Sequence, residues 1–183
     1  MEAYVYLRVE PGKVGSVLTQ LAGRQGLRRS LAVIGDWDVL IHVEGPDLEQ
    51  IATTVLSQVH SVDGVARTMT APVVPGDRIG IAGWGTVQAP PIVGGACYVH
   101  VRTEPGAAAG LVERIAEMPD VAGVAVLGGE WDLMICVAQP WEVASGVILE
   151  QLHPLPGVLS TKTLVSVTYE EPEEDRDQFS AWS

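Results

Sequence analysis

Basic residues are scarce: 11 of the 183 residues are lysine or arginine, against 23 aspartates and glutamates, and the formal net charge is −12. That shortage argues against a protein that grips phosphate backbones, because such affinity comes from clustered Lys and Arg. Cysteine is scarcer still, and Cys97 and Cys136 are too few for a disulfide framework in a chain of this size. Apolar runs are strand-length and soon interrupted, so no membrane span is expected. The opening Met1-Glu2-Ala3-Tyr4 lacks the basic region of a signal peptide, and a cytoplasmic, soluble protein is the expectation. Missing too are a glycine-rich phosphate loop of the Walker type, a G-x-S-x-G elbow and a C-x-x-C pair. What the chain does have is 47% apolar residues, enough for a sizeable core and too many for wholesale disorder.

The sequence repeats itself. Tyr4-Val5-Tyr6-Leu7-Arg8-Val9-Glu10-Pro11-Gly12 returns as Tyr98-Val99-His100-Val101-Arg102-Thr103-Glu104-Pro105-Gly106, an offset of 94. Between Tyr4 and Pro46, 13 of 43 positions are identical at that offset, Gly35-Asp36-Trp37-Asp38 falling on Gly129-Glu130-Trp131-Asp132. After Pro140 one residue is lost and the offset becomes 93, placing Val62-Asp63-Gly64-Val65 on Leu155-Pro156-Gly157-Val158. A single register break at a loop–helix junction is the mark of a duplicated domain.

Within one unit, residues 4–9 alternate as a strand, and Val14, Val17, Leu18 and Leu21 follow the one-faced helical rule. Residues 27–34 and 39–44 form two further strands, with Gly35-Asp36 turning between them. Asp47 caps a second helix with the stripe Leu48, Ile51, Ala52, Val55 and Val59, and residues 65–74 form a last strand. The order βαββαβ is ferredoxin-like. It predicts an α+β protein of two such domains, 1–74 and 97–168, with a Gly/Pro-rich linker at 75–96 and an acidic tail at 169–183. The linker's six glycines and three prolines are interleaved with Ile79, Ile81, Trp84, Val87, Ile92 and Val93. It is therefore expected to lie extended across a unit, against an edge strand. The tail, with Phe179 and Trp182, reads as a solvated arm.

Both helices of such a unit cover one face of its sheet and leave the other open. Alternation puts Val5, Leu7 and Val9 under the helices and Tyr4, Tyr6 and Arg8 on the open face. His42 joins them from the third strand, and the second copy contributes Tyr98, His100, Arg102 and Cys136. Open faces this apolar are expected to pack sheet on sheet within one chain, an intrachain pseudo-dimer, with lateral or interchain pairing as competitors. The seam would then be lined by Tyr4, Tyr6, Arg8, His42, Tyr98, His100, Arg102 and Cys136. Buried polar groups of this kind are either paired with each other or face a ligand. His and Cys could ligate a transition metal, but their spacing specifies none, and neither a metal nor a haem is expected. Cys97 should point into the helix-side core.

The repeated Gly-acid-Trp-Asp words are explained locally as β-turns, with Gly supplying positive φ and the acid bonding the turn. Two acids beside an indole could also hold an ammonium group. Taken with the Arg-Val-Glu-Pro-Gly strand end and the Pro-Asp-Leu-Glu opening of the second helix, the pattern resembles the effector-binding domain of Lrp/AsnC-type regulators. Val65-x-x-Thr68-x-Thr70, repeated as Val158-x-x-Thr161-x-Thr163, fits as well. The resemblance implies a dimeric α/β-barrel-like fold and a small-molecule, amino-acid-like effector. It gives the ligand role to Gly35, Asp36, Trp37, Asp38, Gly129, Glu130, Trp131 and Asp132. A sensor or accessory regulator without its own helix-turn-helix follows, a homo-oligomer candidate with no direct nucleic-acid partner. The alternative is an enzyme of oxygenase, isomerase or lyase type using the seam, with His100, His42, Tyr6, Arg102 and Cys136 as its candidate groups.

Overall fold

The computed structural model describes residues 1–78, 80 and 89–168. Ile79, Ile81, Trp84, Val87 and the tail with Phe179 and Trp182 lie outside them. The first unit comprises β1 (Glu2–Val9), α1 (Val14–Leu21), β2 (Leu27–Ile34), β3 (Val39–Glu44), α2 (Leu48–Thr54) and β4 (Val65–Pro72). The second comprises β5 (Cys97–Thr103), α3 (Ala108–Ala116), β6 (Val121–Val126), β7 (Leu133–Val137), α4 (Trp141–Gly146) and β8 (Val158–Val167). Asp47 caps α2 as expected, its carboxylate accepting the Gln50 N–H at 2.8 Å. Both α2 and α4 run on into a wide π turn, Val55–Val59 and Val147–Leu152. The stripe on α2 is narrower than expected: Ile51, Val55 and Val59 are buried, while Leu48 and Ala52 are exposed. Thr54 takes an inward position instead, filling the space beside Gly26, where a Cβ would lie 2.9 Å from its methyl.

All eight strands belong to one antiparallel sheet, in the order β4-β1-β3-β2-β8-β5-β7-β6. The halves join where β2 meets β8, pairing Ala32 with Val167, Val33 with Ser166 and Ile34 with Val165. The far edges meet as well. Val73 bridges Leu127, the Val74 N–H donates to the Val126 carbonyl at 2.9 Å, and the Gly128 N–H donates to Pro72 at 2.8 Å. At the repeat offsets, Val33–Ser166 and Leu127–Val73 are the same pair, so an approximate two-fold relates the two joints. The sheet therefore closes into a barrel with the helices outside. Face-to-face packing and lateral pairing, alternatives on paper, occur together, because a twisted sheet of this size can bury one face by curling on itself.

Three cores result. Val5, Leu7, Ile41 and Ile51 pack beneath the first pair of helices, and Cys97, Val99, Ile135 and Ile148 beneath the second. The third is the barrel interior, where Tyr4, Tyr6, Leu40, Tyr98, Met134 and Cys136 meet. The sidedness expected from alternation thus holds on β1, β3, β5 and β7. The end of the linker also enters this core: Ile92 is buried there, and Tyr4 donates its hydroxyl proton to the Pro90 carbonyl at 2.7 Å. The Tyr98 hydroxyl accepts the Val93 N–H at 2.7 Å and lies 3.0 Å from the Pro91 and Val93 carbonyls. Rather than lining an edge strand, Pro90–Val93 plugs one end of the barrel, where the buried hydroxyls of Tyr4 and Tyr98 engage its backbone groups.

Gly35 sits at the β2–β8 joint with φ +145°, and a Cβ there would lie 2.6 Å from Leu164 Cδ2 and 3.0 Å from the Thr163 carbonyl oxygen. Its counterpart Gly129 has φ +141° but nothing within 4 Å. Gly129→Ala should therefore cost about 1–3 kcal/mol in backbone strain alone, and Gly35→Ala more, since it must also part the joint. Urea denaturation midpoints of the two variants check that order.

Candidate functional site

At the end of the barrel away from the plug, a cavity of about 570 Å³ opens between the two hairpins. Gly35, Asp36 and Trp37 border it from one half and Glu130 and Trp131 from the other. Tyr6 and His100 line it from within, and Arg8, Arg67, Met69, Lys162, Thr163 and Leu164 complete the wall.

The residues from the last strands were not anticipated. Strand register explains their position: Met69 pairs with Tyr6, Arg67 with Arg8, Lys162 with His100 and Leu164 with Tyr98. Directly opposed residues share a face, so alternation along β4 and β8, once set against β1 and β5, would have found them.

The other expected residues separate into groups. Asp38 and Asp132 do not line the cavity. Each sits behind a bulge in the neighbouring strand, between Arg8 and Val9 and between Arg102 and Thr103. Asp38 accepts the Val9 N–H at 2.8 Å and Asp132 accepts the Thr103 N–H at 2.7 Å, satisfying donors the ladder leaves free. Gly129 also lies outside the wall. Arg102 is half-exposed at the rim, 3.7 Å from Glu130. Tyr4, His42, Tyr98 and Cys136 lie toward the plugged end, so of the two seam histidines only His100 faces the cavity. Burial pushes the Cys136 thiol up to about 12, which removes it as a nucleophile at neutral pH.

Inside the cavity the polar groups are engaged with one another. Tyr6 and His100 share a 2.6 Å hydrogen bond between the hydroxyl and Nε2, with Met134 Sδ 3.2 Å from the same oxygen. Burial pulls His100 down to about 4, opposed by a backbone hydrogen bond to Lys162. The ring is therefore neutral at pH 7. One nitrogen donates to the Lys162 carbonyl, which leaves Nε2 as the acceptor of the Tyr6 proton. Burial raises Tyr6, keeping it a donor.

Charge at the mouth is concentrated. Arg8, Arg67 and Lys162 line the cavity and Arg102 stands over Trp131, four of the 11 basic residues in an acidic chain. Lys162 pairs with Asp36, holding that carboxyl below its usual range, and Arg8 is 3.9 Å from Asp38. Arg67 lies 5.6 Å from the centre of the Trp37 ring, while Arg102 and Lys162 lie 5.3 and 5.9 Å from that of Trp131. The cation–π positions that a ligand ammonium could have used are held by the chain's own cations.

The family model of the Lrp/AsnC ligand-binding domain matches residues 2–75 and again 96–176, and the chain belongs to that family. No curated protein matches it in sequence. Among solved structures it is similar in fold to the siroheme decarboxylase NirDL, with a TM-score of 0.63 and 11% identity over 92% of this chain and 71% of that one. The same enzyme in co-complex with an iron-uroporphyrin III analogue gives 0.60, at the same identity and coverage. TTHA0845 from Thermus thermophilus matches 38% of this chain and 86% of its own at 26% identity, with a TM-score of 0.36.

The depressed His100 has a consequence for stability. Below its ordinary 6.5 the unfolded chain takes up a proton that the folded chain refuses until about pH 4. Stability is thus unaffected by His100 above pH 6.5 and is lost progressively between 6.5 and 4, by about 3 kcal/mol in all. His100→Gln keeps an acceptor for Tyr6 without titrating, and should flatten that part of the urea stability–pH curve relative to the native chain.

Proposed function

We propose that this protein is a small-molecule sensor that binds an amino-acid-like effector through its carboxylate in the cavity between the hairpins. The observation that carries the reading is the convergence of Arg8, Arg67 and Lys162 on one opening between two indoles. Guanidinium and ammonium groups bind carboxylates strongly when water is partly excluded. The volume lies within the range of small-ligand sites, roughly 300–1,000 Å³. A zwitterion can exchange with the ion pairs already present, its carboxylate taking Arg67 or Lys162 while its ammonium faces Asp36 or Glu130. The neutral Tyr6–His100 pair forms a floor that can donate or accept hydrogen bonds without adding charge. Membership of a ligand-binding family supports the reading, and signalling would pass through protein contacts.

The test is calorimetry against a panel of amino acids and small dicarboxylates. One compound should bind at one site per chain, and Arg67→Ala should weaken it about 10- to 100-fold, the contribution of a charge-assisted contact. Absence of binding across the panel, or binding indifferent to Arg67→Ala, would overturn the proposal.

A second reading, a decarboxylase acting on a carboxylated tetrapyrrole, is supported by the fold likeness to NirDL over nearly the whole chain and by the placement of His100 and Tyr6 in the wall. Loss of carbon dioxide leaves a carbon that must gain a proton; the Tyr6 hydroxyl can give up its own and be reprotonated from water at the open mouth, with His100 holding that hydroxyl in place. Incubation with iron-uroporphyrin separates the two readings. Turnover with carbon dioxide release, abolished in Tyr6→Phe while binding persists, favours the enzyme; binding without turnover, or none, rejects it.

A further inference from the structure

We propose that Glu2, His42 and Glu44 form a site for one divalent transition-metal cation of the zinc class, at the plugged end of the barrel. The three residues stand on adjacent antiparallel strands, Glu2 directly opposite Glu44 and Tyr4 opposite His42. The site lies six residues along β1 from Arg8, about 20 Å away at the rise of a strand, so it is separate from the cavity.

Their donor atoms all fall within 4.8 Å of one another, and His42 Nε2 is 3.6 Å from Glu2 Oε2. Zinc bonded to nitrogen and oxygen at about 2.0–2.1 Å sets tetrahedral donors about 3.3–3.4 Å apart. The His42–Glu2 edge needs only a small contraction, and Glu44 a modest swing. One imidazole with two carboxylates suits zinc and its neighbours in the first transition row.

Among the described residues, His42 Nε2 is the buried side-chain nitrogen or oxygen with no partner inside 3.5 Å, its nearest being the Glu2 carboxylate at 3.6 Å. A buried atom held so loosely is under-satisfied, and a cation shared with that carboxylate would engage it fully. The Tyr4 ring, stacked at 5.2 Å and 18°, fixes the orientation of the imidazole. Approach is through a surface pocket of about 350 Å³ bordered by Met1, Glu2, Glu44 and Gly45, where the N-terminal ammonium is held on the Gly45 carbonyl at 2.8 Å.

Nor does the fold require this donor set. At the repeat offset the same three positions are Ala96, Cys136 and Ala138. The second half thus builds the counterpart strands with none of the three groups, β5 and β7 each stopping one residue short of the positions that Glu2 and Glu44 occupy. The resident competitor is Arg28, 2.5 Å from Glu44 but largely exposed, and able to swing into solvent.

Zinc titration of the untagged, chelator-stripped full chain tests the site, with cobalt as a spectroscopic probe. One zinc per chain should bind, raise the thermal midpoint, and give with cobalt the intense visible absorption of a tetrahedral centre. His42→Gln and Glu2→Gln should each weaken binding at least tenfold, and Arg28→Ala should strengthen it. Should His42→Gln fail to fold, Glu2→Gln at the half-exposed strand end still decides the matter. His60→Gln and His153→Gln, at exposed imidazoles bonded to Thr68 and Thr161, should change nothing. Absence of stoichiometric binding, binding undiminished in Glu2→Gln, or binding lost in His60→Gln or His153→Gln, would each overturn the proposal.

Discussion

Everything in this molecule follows from two sheet faces too apolar to meet water and too polar to be buried carelessly. Each carries tyrosines whose rings favour the interior and whose hydroxyls demand partners. Tyr4 and Tyr98 find theirs on the linker backbone, and Tyr6 finds His100 across the barrel. Closure is thus specified by hydrogen bonds at fixed depths as well as by apolar area, and a slip of one residue would send every tyrosine to the helix side.

Duplication within one chain changed what such a closure can do. In a symmetric pair, Tyr6 would face another Tyr6, and each hairpin would meet an identical wall. Here Tyr6 opposes His100, and the repeat counterparts of Met69 and Arg67 are Lys162 and Ser160. The two hairpins consequently see different sets of cations: Lys162 reaches Asp36 and Arg67 covers Trp37 on the first, while Arg102 and Lys162 stand over Trp131 on the second. Divergence has been permitted at the mouth and at the plugged end, whereas Asp38 and Asp132 keep the same task at the same bulge. Residues that hold the backbone stayed alike, as did the indoles and Arg8/Arg102 at the mouth, while Tyr6/His100, Arg67/Ser160 and Met69/Lys162 did not.

Much of this was legible in the residues. Offset identity announced the repeat, and period-2 alternation put Tyr4, Tyr6, Tyr98 and His100 on the face that the barrel encloses. Closure of the barrel edges was not legible, because Val73 and Leu127 resemble any strand-end aliphatic residues and their meeting depends on accumulated twist. The cavity was half visible: Trp37 and Trp131 came from the repeated words, but Arg67 and Lys162 required the register of β4 and β8. Asp38 and Asp132 looked like ligand groups for the reason that makes them good turn residues. A carboxylate accepts backbone N–H groups as readily as a ligand's, and the bulges at Val9 and Thr103, which decide between them, leave no mark in the residue pattern.

The plug formed by Pro90–Val93 gives the connector a second job. A tether usually raises the chance that two modules meet and is otherwise replaceable by any segment of similar reach. This one supplies carbonyls that the tyrosines need and an isoleucine that the interior encloses. Separately expressed halves would therefore lack a wall as well as a leash, and a glycine–serine substitute of equal length would restore their proximity while leaving a hole where Ile92 had been. Gene fusion, on this view, became hard to reverse once the joining peptide was recruited as an internal part.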